Sequence, residues 1–172
     1  IYTLSLHDAL PISVTDRRAE PPSQPEATSV PEPPSGILVE LDPPKSMDVT
    51  TVVEAARILK EAGAGAVTLA DNPLASVRVD VLAVAGIVRR ETGIDVIPHL
   101  TGRDRNRIAL QSFIMGAHVL GIRSLLCVTG DPVRMYNETN TSGVFDVTSI
   151  GLVKLVAEFN EGRRTGDGAA TE

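Results

Sequence analysis

The sequence predicts an α/β fold in which helices cover a parallel sheet built from four consecutive βα units. Three observations predict it. Short, nearly continuous apolar runs alternate with longer amphipathic stretches, the pattern of parallel strands buried on both faces. The equivalent strand positions Val39, Val67, Val96 and Cys127 follow at steps of 28, 29 and 31 residues, the size of a βα unit. Three strands run out into Asp and Pro (Asp42-Pro43, Asp71-Asn72-Pro73 and Asp131-Pro132), and the remaining one ends at His99. An open doubly wound sheet and half of an eight-stranded βα barrel both fit, and polar residues gathered at the strands' carboxyl ends suit a barrel mouth.

Each element has its own local signal. The first strand is ILVEL (37–41), and Asp48 is placed to cap a helix carrying Val52, Val53, Ala56, Ile58 and Leu59, with Gly63 to end it. The second strand is AVTLA (66–70), followed by a helix over about 74–92 that carries Val77, Val81, Leu82, Val84, Ala85 and Val88 and stops at Gly93. The third is DVIPHL (95–100), with Asp104 as the cap of a helix holding Ile108, Leu110, Phe113, Ile114 and Ala117 up to Gly121. The fourth is SLLCVT (124–129), after which Thr148 or Ser149 caps a helix with Ile150, Val153, Leu155, Val156 and Phe159.

The ends of the chain read differently. Residues 1–13, IYTLSLHDALPIS, lack the basic start and cleavage site of a signal peptide and resemble translated sequencing adapter, so His7 and Asp8 are set aside. Residues 14–35 hold six prolines among polar residues and read as a disordered linker. The barrel half is expected over 36–163, and 164–172 is a polar, Gly-rich truncated tail.

Composition excludes several classes of function. A net charge of −6 and a pI near 5.1 lack the basic face that nucleic-acid binding needs. No apolar run approaches the ~20 residues of a membrane span. Cys127 is the single cysteine, which removes an internal disulfide framework and a Cys-based zinc site and fits a reducing cytoplasm. No GxxxxGK[ST] loop is present, and Gly63 and Gly65 precede a strand where a dinucleotide fingerprint would follow one.

The candidates for chemistry sit at strand ends. Glu40 lies on the opposite side of its strand from Val39 and Leu41. If that side is a barrel interior, burial would raise its pKa toward that of a general acid; the bland alternative is a solvent-facing edge residue. Asp131 follows Val128-Thr129-Gly130, where glycine lets the backbone approach a ligand; a turn-forming Asx is the alternative. Asp71 sits in a common turn string, and His99 is a strand histidine with a core residue as its alternative. His118 and Cys127 read as structural, and no ligand cluster points to a metal. Arg103 to Arg107 form a charged cluster, either a solvated helix start or an anion-recognition element. Asn137 and Asn140 open glycosylation sequons that mean little without secretion.

Taken together, VELDPPK (39–45), LADNPLA (69–75), PHLTGRDRN (98–106), LQSFIMGAHVLGIRSLLCVTGDP (110–132) and GVFDVTSIGL (143–152) resemble the flavin-dependent methylenetetrahydrofolate reductase family. The nearest likeness is to its branch fused behind a homocysteine S-methyltransferase domain. The resemblance implies a (β/α)8 TIM barrel, present here as an N-terminal half, with FAD at the carboxyl ends of the strands. It implies reduction of 5,10-methylenetetrahydrofolate by NADH or NADPH, and it leaves room for a homo-oligomer. It makes Glu40 the general acid that helps open the folate ring, and Asp131 the residue near flavin and pterin. Asp71, His99, Thr129, Gly130 and Phe145 would line the cofactor. Three departures stand out: Thr129 where many members have Arg, Ala70 where many have Thr, and Gly102 where the branch carrying RDRN has Cys. A pterin-binding methyltransferase barrel without flavin and a non-catalytic barrel fragment are the competing readings. Four strands do not close a barrel, so the isolated 172-residue chain is expected to show no NAD(P)H–menadione oxidoreductase activity. Turnover by that purified chain would refute the expectation.

Overall fold

Four strands, β1 (Leu38–Leu41), β2 (Ala66–Leu69), β3 (Asp95–Thr101) and β4 (Leu126–Val128), pair in parallel and in chain order, β1-β2-β3-β4. They alternate with helices α1 (Thr50–Glu61), α2 (Val81–Thr92), α3 (Arg107–Val119) and α4 (Ser149–Asn160) in this computed structural model, which describes residues 34–133 and 141–161. The adapter-like string, the linker up to residue 33, Asn137, Asn140 and the tail lie outside the described residues.

The strand order decides between the two architectures that the sequence left open. A doubly wound sheet reverses its strand order at a switch point, and this one does not. Right-handed crossovers that always step in the same direction place their helices on the same face. The result is an α/β layer consistent with half of a TIM barrel.

The helices bury the stripes their periodicity dictates. Val81, Val84, Ala85 and Val88 on α2 and Leu110, Phe113, Ile114 and Ala117 on α3 both follow the i, i+3, i+4, i+7 spacing, and all are buried. They pack with Val67, Leu69, Val96 and Leu100 from the sheet and with Leu152 and Leu155 from α4 into a single core. Expected core members that face away include Ile58, Ile108 and Val153, all exposed.

Strand register follows the spacing for the first three strands: Val39 pairs with Val67, and Val67 with Val96. Cys127 departs from it, lying opposite Leu100 instead of Val96. The longer connection after α3 lets β4 start higher on β3, the kind of stagger that strand tilt in a barrel requires. On this edge strand Cys127 is half-buried, and burial pushes its thiol pKa up.

Helix starts are where local chemistry overrode the pattern. The helix expected from residue 74 begins at Val81, because the left-handed residues Asn72, Leu74 and Ala75 cannot propagate an α-helix. Only a 3₁₀ turn (Pro73–Ala75) forms there, and Arg78 N–H is held by Asn72 Oδ1 at 2.9 Å. Asp80 then caps α2, its Oδ1 accepting the N–H groups of Leu82 and Ala83 at 3.0 Å each. Asp104 does not cap α3, since its carboxylate is taken by Arg103; Asn106 Oδ1 accepts Ala109 N–H instead. Thr148 is the cap of α4. Asp48 Oδ1 accepts Thr50 N–H at 2.9 Å although Val49 occupies the capping position of α1.

Replacing Asp80 by Ala leaves two helix amides without acceptors and is expected to cost about 1 kcal/mol. Urea denaturation with an unchanged slope and a lowered midpoint would report it.

Candidate functional site

The parallel arrangement brings every strand's carboxyl end to one rim, and at that rim a cleft of about 310 Å³ opens. Its lining includes Glu40 from β1, Ala70 and Asp71 after β2, His99, Thr101 and Arg103 along β3 and its extension, and Gly130 and Asp131 after β4. Five of the seven residues singled out from sequence therefore share one cavity. Thr129 and Phe145 do not line it: Thr129 is exposed, and Phe145 borders a separate hollow with Pro132 and Val133.

Glu40 sits opposite Thr68, which is in turn opposite Ile97, so His99, two residues further along β3, faces the same way. Glu40 Oε2 and His99 Nε2 are 3.6 Å apart. The Glu40 side chain is 60% exposed, which corrects the expectation of a carboxylate inside a packed interior. Its strand is an edge, with β2 as its neighbour in the sheet. His99 is the opposite case: its side chain is 10% exposed, and Nε2 is buried without a hydrogen-bond partner. Burial lowers its pKa, and the carboxylates of Glu40, Asp71 and Asp42 only partly offset that, so the imidazole is neutral at pH 7.

Asp71 is buried and fully engaged with the protein. It accepts Thr101 Oγ1–H at 3.1 Å and both terminal nitrogens of Arg105. Arg105 in turn lies over the Phe113 ring, 4.9 Å from its centroid. Asp131 is less enclosed, and its Oδ2 accepts Leu74 N–H at 2.8 Å. Gly130 has φ +92°, and a Cβ there would come within 2.9 Å of Arg103 Cβ.

Sequence reasoning missed the roles of Arg103, Arg105 and Thr101 in this rim. Arg103 is 1% exposed, far from the solvated helix start that a charge run suggests. Nε and Nη2 donate to Asp104 at 2.7 Å each, Nη2 also to Asn72 O at 2.9 Å, and Nη1 to Asp131 O at 3.5 Å. The Asp104 hydrogen bond raises the guanidinium pKa against the opposing effect of burial. Burial alone would push the Asp104 carboxyl up, but Arg103, Asn72 and Arg105 together hold it below its ordinary value. For Thr101 strand parity was the available signal: His99 and Thr101 alternate along β3 and face the same cleft.

The segment after β4 docks on the end of β3. Val144 N–H donates to Arg103 O at 2.7 Å and Phe145 N–H to Gly102 O at 3.0 Å, with Phe145 at φ +49°. A Cβ at residue 102 would run into the Val147 carbonyl oxygen, so glycine is required there in this arrangement. Among the described residues, no group of three His, Cys, Asp or Glu gathers to hold a metal ion, and no helix is long and apolar enough to cross a membrane.

Sequential parallel βα units with polar residues gathered at the carboxyl rim place the chain in the βα-barrel class of α/β proteins. Within that class, the chain belongs to the methylenetetrahydrofolate reductase family, which matches residues 34–167, more than half of its length. Comparison with curated proteins gives no match. Among solved structures, the carboxyl transferase domain of Rhizobium etli pyruvate carboxylase with oxamate and biotin is 14% identical, with a TM-score of 0.40 over 72% of this chain and 23% of that one. The same domain with 3-bromopyruvate is 14% identical, with a TM-score of 0.39 and the same two coverages. A likeness this loose carries no argument. The chain spans less than a quarter of the length of those structures.

His99 gives the site a pH signature. Its folded-state pKa lies below the ordinary value of 6.5, so the unfolded chain takes up the proton first as pH falls. The stability that neutral His99 contributes is present above pH 6.5 and is lost as pH drops through and below that value. Depressed Asp104 adds a second loss as pH falls below 3.8. The urea midpoint is expected to decline as pH falls through and below 6.5. His99→Gln is expected to flatten that decline, and an unchanged slope would show that His99 is not its source.

Proposed function

We propose that the protein carrying this chain reduces 5,10-methylenetetrahydrofolate to 5-methyltetrahydrofolate, with NADH or NADPH as electron donor and FAD as the hydride carrier. The observation that carries the reading is that Glu40 from the first strand and Asp131 after the fourth open into one cleft, in a chain of the folate-reductase family. The RDRN string (103–106) supports a place in the branch that follows a homocysteine S-methyltransferase domain. The lone cysteine supports a cytoplasmic setting.

The residues present fit the flavin ring better than its pyrophosphate. His99 Nε2 is a buried polar atom still without a partner, and His99 lines the same cleft as Gly130 and Asp131. His99, Gly130 and Asp131 would hold the ring, and when bound it supplies the hydride transfer. Arg103 is poorly placed to serve the pyrophosphate as well, because four of its five N–H groups are engaged by Asp104, Asn72 and Asp131. Thr129 offers a single hydroxyl and no charge.

Glu40 is the proton donor in this scheme. Its carboxyl opens on the cleft and would protonate the folate amine that must leave as the five-membered ring opens to an iminium. A neutral His99 beside it matters, since an imidazolium at 3.6 Å would favour the ionised carboxylate, which has no proton to give. Asp131, held by Leu74 N–H, would keep its second oxygen for the pterin. Asp71 contributes through structure: with Thr101 and Arg105 it fixes the wall of the cleft.

Glu40→Gln in a complete barrel containing this chain tests the reading. Folate reduction is expected to fall by ~10²-fold or more, while the flavin absorbance near ~450 nm and its reduction by NAD(P)H persist. Unchanged folate turnover would remove Glu40 as the acid, and a colourless protein would remove the flavin.

A further inference from the structure

A charged side chain as deeply buried as Arg103 needs a reason beyond fold stability, because burying a guanidinium is costly unless each N–H is matched. Here four of the five N–H groups are matched, by partners from three different strand-end loops. Asn72 O belongs to the loop after β2, Asp104 to the loop after β3, and Asp131 O to the loop after β4. Asp104 Oδ2 also accepts Asn72 Nδ2–H at 3.4 Å. The same turn that Arg103 grips through Asn72 presents Leu74 N–H to Asp131 Oδ2. That turn holds Asn72, Leu74 and Ala75 at positive φ, a conformation that persists in non-glycine residues only where the surroundings enforce it.

We infer that Arg103 is a positioning residue for Asp131: its guanidinium fixes the Asp131 backbone directly and the Asp131 carboxylate through the 72–75 turn. Arginine is required because one planar fork serves three loops at once, which a lysine ammonium on a flexible stem cannot do. Gly130 belongs to the same device, since a side chain there would push against Arg103 Cβ. The inference rests on the proposed folate reaction only for its catalytic consequence.

The structural part is tested on the full chain by amide hydrogen exchange in Arg103→Lys. The Leu74 amide, bonded to Asp131 Oδ2, is expected to exchange ~10-fold faster or more, while the Val84 amide, bonded to Asp80 O within α2, keeps its protection. Equal acceleration at both sites, or none at Leu74, overturns the inference. Should Arg103→Lys fail to fold, Asp104→Asn, which removes the bidentate partner and keeps the guanidinium, is read by the same two amides with the same criteria. In the complete barrel, Arg103→Lys is expected to lower kcat for folate reduction ~10- to 100-fold with little change in KM for NAD(P)H. An unchanged kcat overturns the catalytic consequence. If the unaltered barrel reduces no folate, the functional reading fails, and the Leu74 amide still decides the inference.

Discussion

Parallel pairing in strict chain order is the constraint from which the rest of this structure follows. A chain that returns each time over the same face of its sheet must bring all of its strand exits to one rim. Loops well separated in sequence, at residues 42, 71, 102 and 131, thereby become neighbours. The packed layer beneath them, with Val67, Leu69 and Leu100 fully buried between helices and sheet, is rigid enough to hold polar groups at fixed separations.

On that rim the acidic residues divide by how they are satisfied. Asp71 and Asp104 are spent on arginines and build walls; Glu40 is exposed, and Asp131 gives one oxygen to a backbone amide. Asp42 likewise takes Arg78, so three carboxylates are bonded to guanidinium and two are not, a division that burial and pairing produce. His99 adds an uncharged neighbour in the one place where a cation would alter Glu40's surroundings.

Much of this was legible in the chain. Periodicity located four strands and four helices because each strand is mostly apolar and each helix buries apolar residues at helical spacing. Glu40, His99 and Asp131 could be singled out because a polar residue at the end of an apolar strand breaks its own pattern. What was not legible depended on contacts distant in sequence. The late start of α2 reflects left-handed residues whose turn is held by partners such as Arg103 and Asp131. The burial of Arg103 could not be read because a run of charges carries no mark of which member turns inward. The exposure of Glu40 depends on how many strands cover its face, which a local pattern does not state.

The tight seat of Gly102 under the Val147 carbonyl has an evolutionary consequence. A relative that carries cysteine at this position must route its counterpart of the 143–147 segment along another path. Sequence drift at the tip of the third strand and in the lead-in to the last helix is therefore tied, and swapping either piece between relatives without the other would transplant a steric conflict.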